Sequence, residues 1–346
     1  MTSFLSHPLP PAGRSLSRRN LLTLAGGMTA ATALGACSGP QTQPTSTGSA
    51  SSGPKPVTKI GFDYPFTQLP LYATLVKLAT AAARRQGVEV VTTNDAAKVD
   101  AQITNLSTWV GQGIPAIVSF PMVFEATEKI AKAALDAGLI WVTYGGTLQN
   151  QSADIQFSFL KGGTLLGEAA ARWADENLGG KGKIAFLVDE TIQLGRDRTK
   201  GMVDAFTKAA PNVEVVAQEQ AIDPDTGLSK SSALLARHPD LNIILGVTDA
   251  AAYGGFKALQ QAGRALTDAR TFVGGQDGAV PSLMAIKQGS FYRASAALAP
   301  NDIAAAVVEV PLAVAAGKPD PSVDLPITLL QQADGTKIDD LIAQNS

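Results

Sequence analysis

Three observations predict an α/β fold made of two similar lobes, each a parallel sheet covered by helices on both faces. Short apolar runs alternate with helically spaced ones from Thr58 onward, the pattern of parallel strands joined by helices. The alternation then restarts in the second half of the chain. At 346 residues, 45% of them apolar and 17% charged, the chain is also long enough for two cores of roughly 100–150 residues each. The same composition excludes other classes. One cysteine excludes a disulfide-stapled scaffold, and the apolar share excludes a collagen-like or fully disordered chain. A formal charge of −2 offers no basic field to nucleic acid. The most apolar stretch, Leu21 to Ala36, holds three Gly and three Thr and is too short and too weakly apolar for a spanning helix.

Residues 1–36 read as an export signal. Arg14, Arg18 and Arg19 precede a weakly apolar run, with no acidic residue, and small residues close it. Ser17-Arg18-Arg19-Asn20-Leu21-Leu22 resembles the twin-arginine export motif, though an ordinary positive n-region would read the same way. Leu34-Gly35-Ala36-Cys37 resembles the lipobox, which implies acylation of Cys37 and a lipid anchor in the membrane. Cleavage removes three of the 28 basic residues and none of the 30 acidic ones, leaving a net charge of −5. Residues 37–57 (CSGPQTQPTSTGSASSGPKPV) hold no large apolar residue before Val57, so they are expected to form a disordered tether reaching roughly 25 Å.

The body, residues 58–346, begins with a buried strand at Lys59-Ile60-Gly61-Phe62. Leu71, Leu75, Leu78 and Ala82 then repeat at helical spacing up to Arg84-Arg85-Gln86-Gly87. Val88 to Val91 is a strand, Asp100 to Gly113 a helix, Ala116 to Phe120 a strand, Glu125 to Ala137 a helix and Leu139 to Thr143 a strand. In the second set, helices are expected at Gly167 to Leu178, Gly201 to Ala210, Ser229 to Arg237 and Tyr253 to Ala262. The strands between and after them are Lys183 to Val188, Val213 to Ala217, Ile243 to Val247 and Thr271 to Gly274. A helix at Val280 to Lys287, a strand at Phe291 to Ala297 and a helix at Asp302 to Ala316 are too few for a third lobe, so they complete the first two.

Several motifs carry a family resemblance. They are IGF at 60–62, AAARRQGVEV at 81–90 and QGIPAIV at 112–118, then RDRTKGM at 196–202, Thr248-Asp249, and VGGQDG at 273–278. In this order the chain resembles the ribose-binding-protein type of periplasmic binding protein, over about residues 58–330. The resemblance implies the type 1 fold: two Rossmann-like lobes with parallel sheets joined by a three-strand hinge. The crossings fall near Phe157–Leu160, Leu298–Pro300 and Leu325–Leu330. Lobe 1 is then about 58–158 and 299–327, and lobe 2 about 159–298 and 328–346. A ligand would lie between the lobes at the carboxyl ends of the strands, and the lobes would hinge shut around it.

The resemblance also points to site residues. Tyr72 falls where the family stacks a ring on a sugar face, or else packs under the first helix; Tyr64 and Phe66 stand nearby. Phe120 takes the place of a frequent Asn and is either cleft wall or core. Tyr144 follows the fourth strand, where an Asp-Arg pair is common in sugar binders, and Leu298 replaces a frequent Gln. Arg198 matches a ligand-binding arginine, or is a helix-surface charge. Thr248 matches a ligand-touching Asn, while Asp249 equally fits a helix N-cap. Asp277, beside Gln276, matches a ligand-binding carboxylate, or stabilises the Gly-rich bend. This thinned polar set suits a small sugar, polyol or related neutral ligand, with fewer hydroxyls than a hexose or with an apolar face.

The implied function is that of the solute-binding lipoprotein of an ABC importer, exported, anchored through Cys37 and handing its ligand to permease and ATPase subunits. It is expected to be a monomer without cofactor or metal. A sensory receptor for a histidine kinase or chemoreceptor, or an autoinducer or nucleoside binder, would use the same fold. An enzyme is not expected. His7 leaves with the signal, His238 sits in a loop, and Lys161-Gly162-Gly163-Thr164 lacks the ending of a phosphate loop.

Overall fold

The structure, a computed structural model, describes residues 56–344. The export signal, Cys37 and the tether as far as residue 55 lie outside the described residues. Val57, at the expected end of the tether, is 7% exposed and packs in the first core. Among the described residues no helix is long and apolar enough to cross a membrane.

Two six-stranded sheets form the body. The first contains β1 (Lys59–Asp63), β2 (Glu89–Thr92), β3 (Ala116–Ser119), β4 (Ile140–Tyr144), β5 (Ala153–Gln156) and β11 (Val323–Asp324), in the order β11-β5-β4-β3-β1-β2. All its pairings are parallel. The second contains β6 (Lys183–Val188), β7 (Glu214–Gln220), β8 (Ile243–Gly246), β9 (Phe272–Asp277), β10 (Tyr292–Ala297) and β12 (Thr328–Gln331), in the order β12-β10-β9-β8-β6-β7. Here only the β10–β12 pair is antiparallel. Every residue of β3 and β8 is buried, because helices cover both faces of a parallel sheet.

On one face of the first sheet lie α1 (Pro70–Arg85) and α9 (Pro300–Ala315), packed on each other. Leu75, Ala79, Ile303 and Val307 join Ile60, Phe62 and Val118 in that core. On the other face α2 (Val99–Gln112) and α3 (Phe124–Asp136) bury Leu106 and Ile130 against Ile117 and Trp141. In the second lobe α4 (Phe159–Leu178) and α5 (Gln193–Ala209) cover one face, and α6 (Pro224–Arg237), α7 (Asp249–Gln261), α8 (Val280–Lys287) and α10 (Gly335–Gln344) the other. The chain passes from the first sheet to the second after β5, back after β10, and across again between β11 and β12. These three crossings form the hinge.

Helices α4 and α5 each begin eight residues before the helical pattern predicted, at Phe159 rather than Gly167 and at Gln193 rather than Gly201. The glycines that obscured them lie where the two helices cross. A Cβ on Gly163 would stand 2.2 Å from the Arg198 carbonyl oxygen, and one on Gly201 would stand 2.1 Å from that of Leu160. Helices α6 and α7 also start earlier than expected, behind the caps Asp223 and Thr248. Beyond the hinge crossing expected near Leu325–Leu330, which overlaps β12, strands β5, β11 and β12 and helix α10 carried no prior expectation. The strands are two to four residues long, too short for a period to register.

Candidate functional site

A cleft lies between the lobes at the carboxyl ends of the strands. The first lobe lines it with Tyr64, Phe66, Phe120 and Tyr144, and the second with Asp189, Arg198, Thr248 and Asp277; Phe157, Phe159 and Leu298 come from the crossings. About 560 Å³ free of atoms lies among these side chains, mouth included.

Arg198 and Asp277 form the charged centre. The Arg198 Nη2 lies 2.7 Å from Asp277 Oδ1, and both side chains are only 12% exposed. The other guanidinium arm donates to the Val247 carbonyl at 2.9 Å, and the group lies 4.6 Å over the Phe159 ring. Ion pair, carbonyl and ring together fix a planar cation that would otherwise lose rotamer entropy on meeting a ligand. Burial pushes the Asp277 carboxyl above its ordinary value while Arg198 pulls it back. Asp277 ends β9 with φ +113°, a conformation that L residues avoid. Such strain persists only where the surroundings enforce it. Here the enforcing group is Asp249, whose Oδ2 accepts from the amides of Gly278 (2.9 Å) and Ala279 (2.8 Å).

The opposite wall is aromatic. Phe120 and Tyr144 lie 5.4 Å apart between ring centres, Tyr144 and Phe157 5.2 Å, and Phe157 and Phe159 4.7 Å edge to face. Burial raises the pKa of Tyr64 and Tyr144 strongly, so both hydroxyls stay protonated. Among the described residues neither hydroxyl has a hydrogen-bond partner, and both feel the field of Arg198 and Asp277. They are therefore hydrogen-bonding groups as well as rings, a role that reading them as aromatics had missed.

Tyr64 follows Asp63, which is fully buried and accepts from Ser119 Oγ (2.6 Å) and Gln102 Nε2 (2.8 Å). Gln102 also donates to the Phe120 carbonyl (2.8 Å) and accepts from the Met122 amide (3.1 Å). This network ties the loops carrying Tyr64 and Phe120 together. Burial, and then the neighbouring Asp95, push the Asp63 carboxyl well above its ordinary value.

Seven of the nine sequence-predicted site residues line the cleft: Tyr64, Phe66, Phe120, Tyr144, Arg198, Thr248 and Asp277. Tyr72 does not. It stacks behind Tyr64 at 6.0 Å and donates to the Thr93 carbonyl at 3.4 Å. Gln276 is not on the lining either; it is buried in β9, its Nε2 has no partner, and its Oε1 faces Gly162. Side chains alternate across a strand, so Gln276 and Asp277 point to opposite faces. Thr248, not Asp249, caps α7, accepting from the Ala251 amide at 3.0 Å while donating to the Ile222 carbonyl at 2.7 Å. Its hydroxyl is thereby occupied. The lining also holds Asp189, Ile192, Leu194, Gly195 and Ile222, none of which the motifs marked. Among the described residues no group of three or more His, Cys, Asp or Glu side chains is gathered to hold a metal ion.

Two lobes, a three-strand hinge and a cleft at the strand ends define a bilobal solute-binding protein. Residues 60–319 match the periplasmic binding protein domain family, and the chain belongs to that family, in its ribose-binding type. It is 26% identical over 184 residues to the ABC transporter periplasmic-binding protein YphF of Escherichia coli, a match covering 51% of this chain and 56% of that one. It is 26% identical over 245 residues to the ribose import binding protein RbsB of Bacillus subtilis, covering 69% and 75%. A solute-binding protein of an ABC transporter from Mycobacterium smegmatis, solved with bound glycerol, superposes with a TM-score of 0.72 at 25% identity, covering 82% of this chain and 96% of that one. With YphF, the chain thus spans little more than half the length of a curated relative.

Proposed function

We propose that this chain is the extracytoplasmic solute-binding lipoprotein of an ABC importer, which closes its lobes around a small hydroxylated ligand of the sugar or polyol class. The observation that carries this reading is the two-sided cleft. An aromatic wall with two unpartnered phenol hydroxyls faces the Arg198–Asp277 pair across a narrow gap. Rings stack on the C–H face of a sugar, while guanidinium, carboxylate and phenols meet its hydroxyls. Relatives named for ribose import and a neighbour holding glycerol support the same class. In this reading the chain is exported by its signal, acylated at Cys37 and held to the membrane as a monomer. It delivers ligand to permease and ATPase subunits and catalyses no reaction itself.

A thermal-shift screen of the purified chain against sugars, polyols, nucleosides, amino acids and small aromatics tests it. A ligand at about 100 times its Kd adds roughly 2.7 kcal/mol of stability. A sugar or polyol is expected to raise the melting temperature, and Arg198→Ala is expected to abolish the rise. A response to nucleosides or aromatics alone would overturn the ligand class.

A further inference from the structure

The sequence leads to a neutral ligand, but Asp189 alters the charge of the cleft. It opens the loop after β6, faces the cleft and is 5% exposed. Every hydrogen bond to its carboxylate falls on Oδ1: from the Thr191 amide (2.9 Å), the Thr191 hydroxyl (2.5 Å) and Gln220 Nε2 (3.0 Å). Among the described residues, Oδ2 accepts none. Nor does it serve the helix beside it, since α5 begins at Gln193 behind Ile192 without a side-chain cap. Gly195 leaves the space that Oδ2 occupies, for a Cβ there would stand 2.3 Å from that oxygen. The carboxylate is thus held rigidly on one oxygen and left open on the other.

The charged side chains on the lining are Asp189, Arg198 and Asp277. Arg198 and Asp277 neutralise each other, so the charge of Asp189 has no counterpart in the cleft. Aromatic faces, which favour a cation over a neutral group, form the facing wall. We infer that Asp189 Oδ2 receives a protonated amine of the ligand, so that the preferred substrates are amino sugars or amino polyols rather than their neutral counterparts. This rests on the sugar-class reading above and adds the sign of the ligand's charge. A charge-assisted hydrogen bond at this oxygen corresponds to about a 10- to 100-fold preference for the amine.

The test is calorimetric titration of the full chain with matched pairs: D-glucosamine and D-glucose, D-galactosamine and D-galactose, 1-amino-1-deoxysorbitol and sorbitol. In at least one pair the amine is expected to bind ten times or more tighter, and in Asp189→Asn the ratio within that pair is expected to fall to near one. The ratio in the unaltered protein is decisive even if the variant fails to fold. Neutral members binding as tightly as the amines, or a preference that survives in Asp189→Asn, would overturn the inference and leave the sugar-class reading standing. Binding of neither series would overturn the inference, while the sugar-class reading is decided by the thermal-shift screen.

Discussion

Asp249 sets up a contest between burial and hydrogen bonding that one substitution decides. The residue is fully buried at the first turn of α7. Its Oδ1 accepts from Tyr292 Oη (2.7 Å), and its Oδ2 accepts from Ser295 Oγ (2.7 Å) and the amides of Gly278 and Ala279. Burial pushes its pKa from 3.8 to about 7; nearby Asp277 adds to the rise, and the Tyr292 and Ser295 hydroxyls and the Ala279 amide oppose it. A carboxyl whose folded pKa exceeds its unfolded one binds more protons in the native state between the two values. Stability therefore falls as pH rises from about 4 to 7, by up to about 1.4 kcal/mol per pH unit and about 4 kcal/mol in all. Asp249→Asn removes this titration. Its amide oxygen can keep the three donors on the Oδ2 side, and its NH₂ can donate to the Tyr292 hydroxyl. In urea unfolding followed by tryptophan fluorescence, the variant is expected to match the unaltered protein near pH 4 and to exceed it by about 4 kcal/mol at pH 8. Asp63 titrates in the same direction in both proteins and cancels in the comparison. Equal slopes for the two proteins between pH 4 and 8 would refute the reasoning, showing that the four donors keep Asp249 ionised throughout.

Three further outcomes follow from the same geometry. Gly163→Ala puts a Cβ 2.2 Å from the Arg198 carbonyl oxygen and must part α4 from α5; a loss of about 3 kcal/mol is expected, and an unchanged urea midpoint would contradict the close crossing. Asp277→Asn keeps the shape beside Arg198 but removes the charge, so calorimetric affinity for a sugar or polyol found in the screen should fall about 10- to 100-fold; an unaltered Kd would take Asp277 out of the site. Gln102→Leu strips partners from Asp63, the Phe120 carbonyl and the Met122 amide at once. About 3 kcal/mol should be lost in thermal unfolding, and a cost near zero would mean that the network does not brace the aromatic wall.

Local pattern determined much of this protein. Strands such as Lys183–Val188 and helices such as Val280–Lys287 coincide with their apolar runs, because burial on both faces leaves a continuous signal in a parallel sheet. Seven cleft residues were legible too, because the family resemblance marked them and the ends of parallel strands meet at one edge. What tertiary structure alone decided was which side chains were free. Thr248 is occupied by capping, Gln276 faces away from the cleft and Tyr72 is a support behind Tyr64. Asp189, by contrast, keeps an open oxygen because Gly195, six residues on, makes room for it. The glycines that hid the starts of α4 and α5 serve a helix crossing whose partner lies nearly forty residues away. Spacing in a sequence reports the period of one element; whether a polar atom is open depends on the residues packed around it, and those are brought together only by the fold.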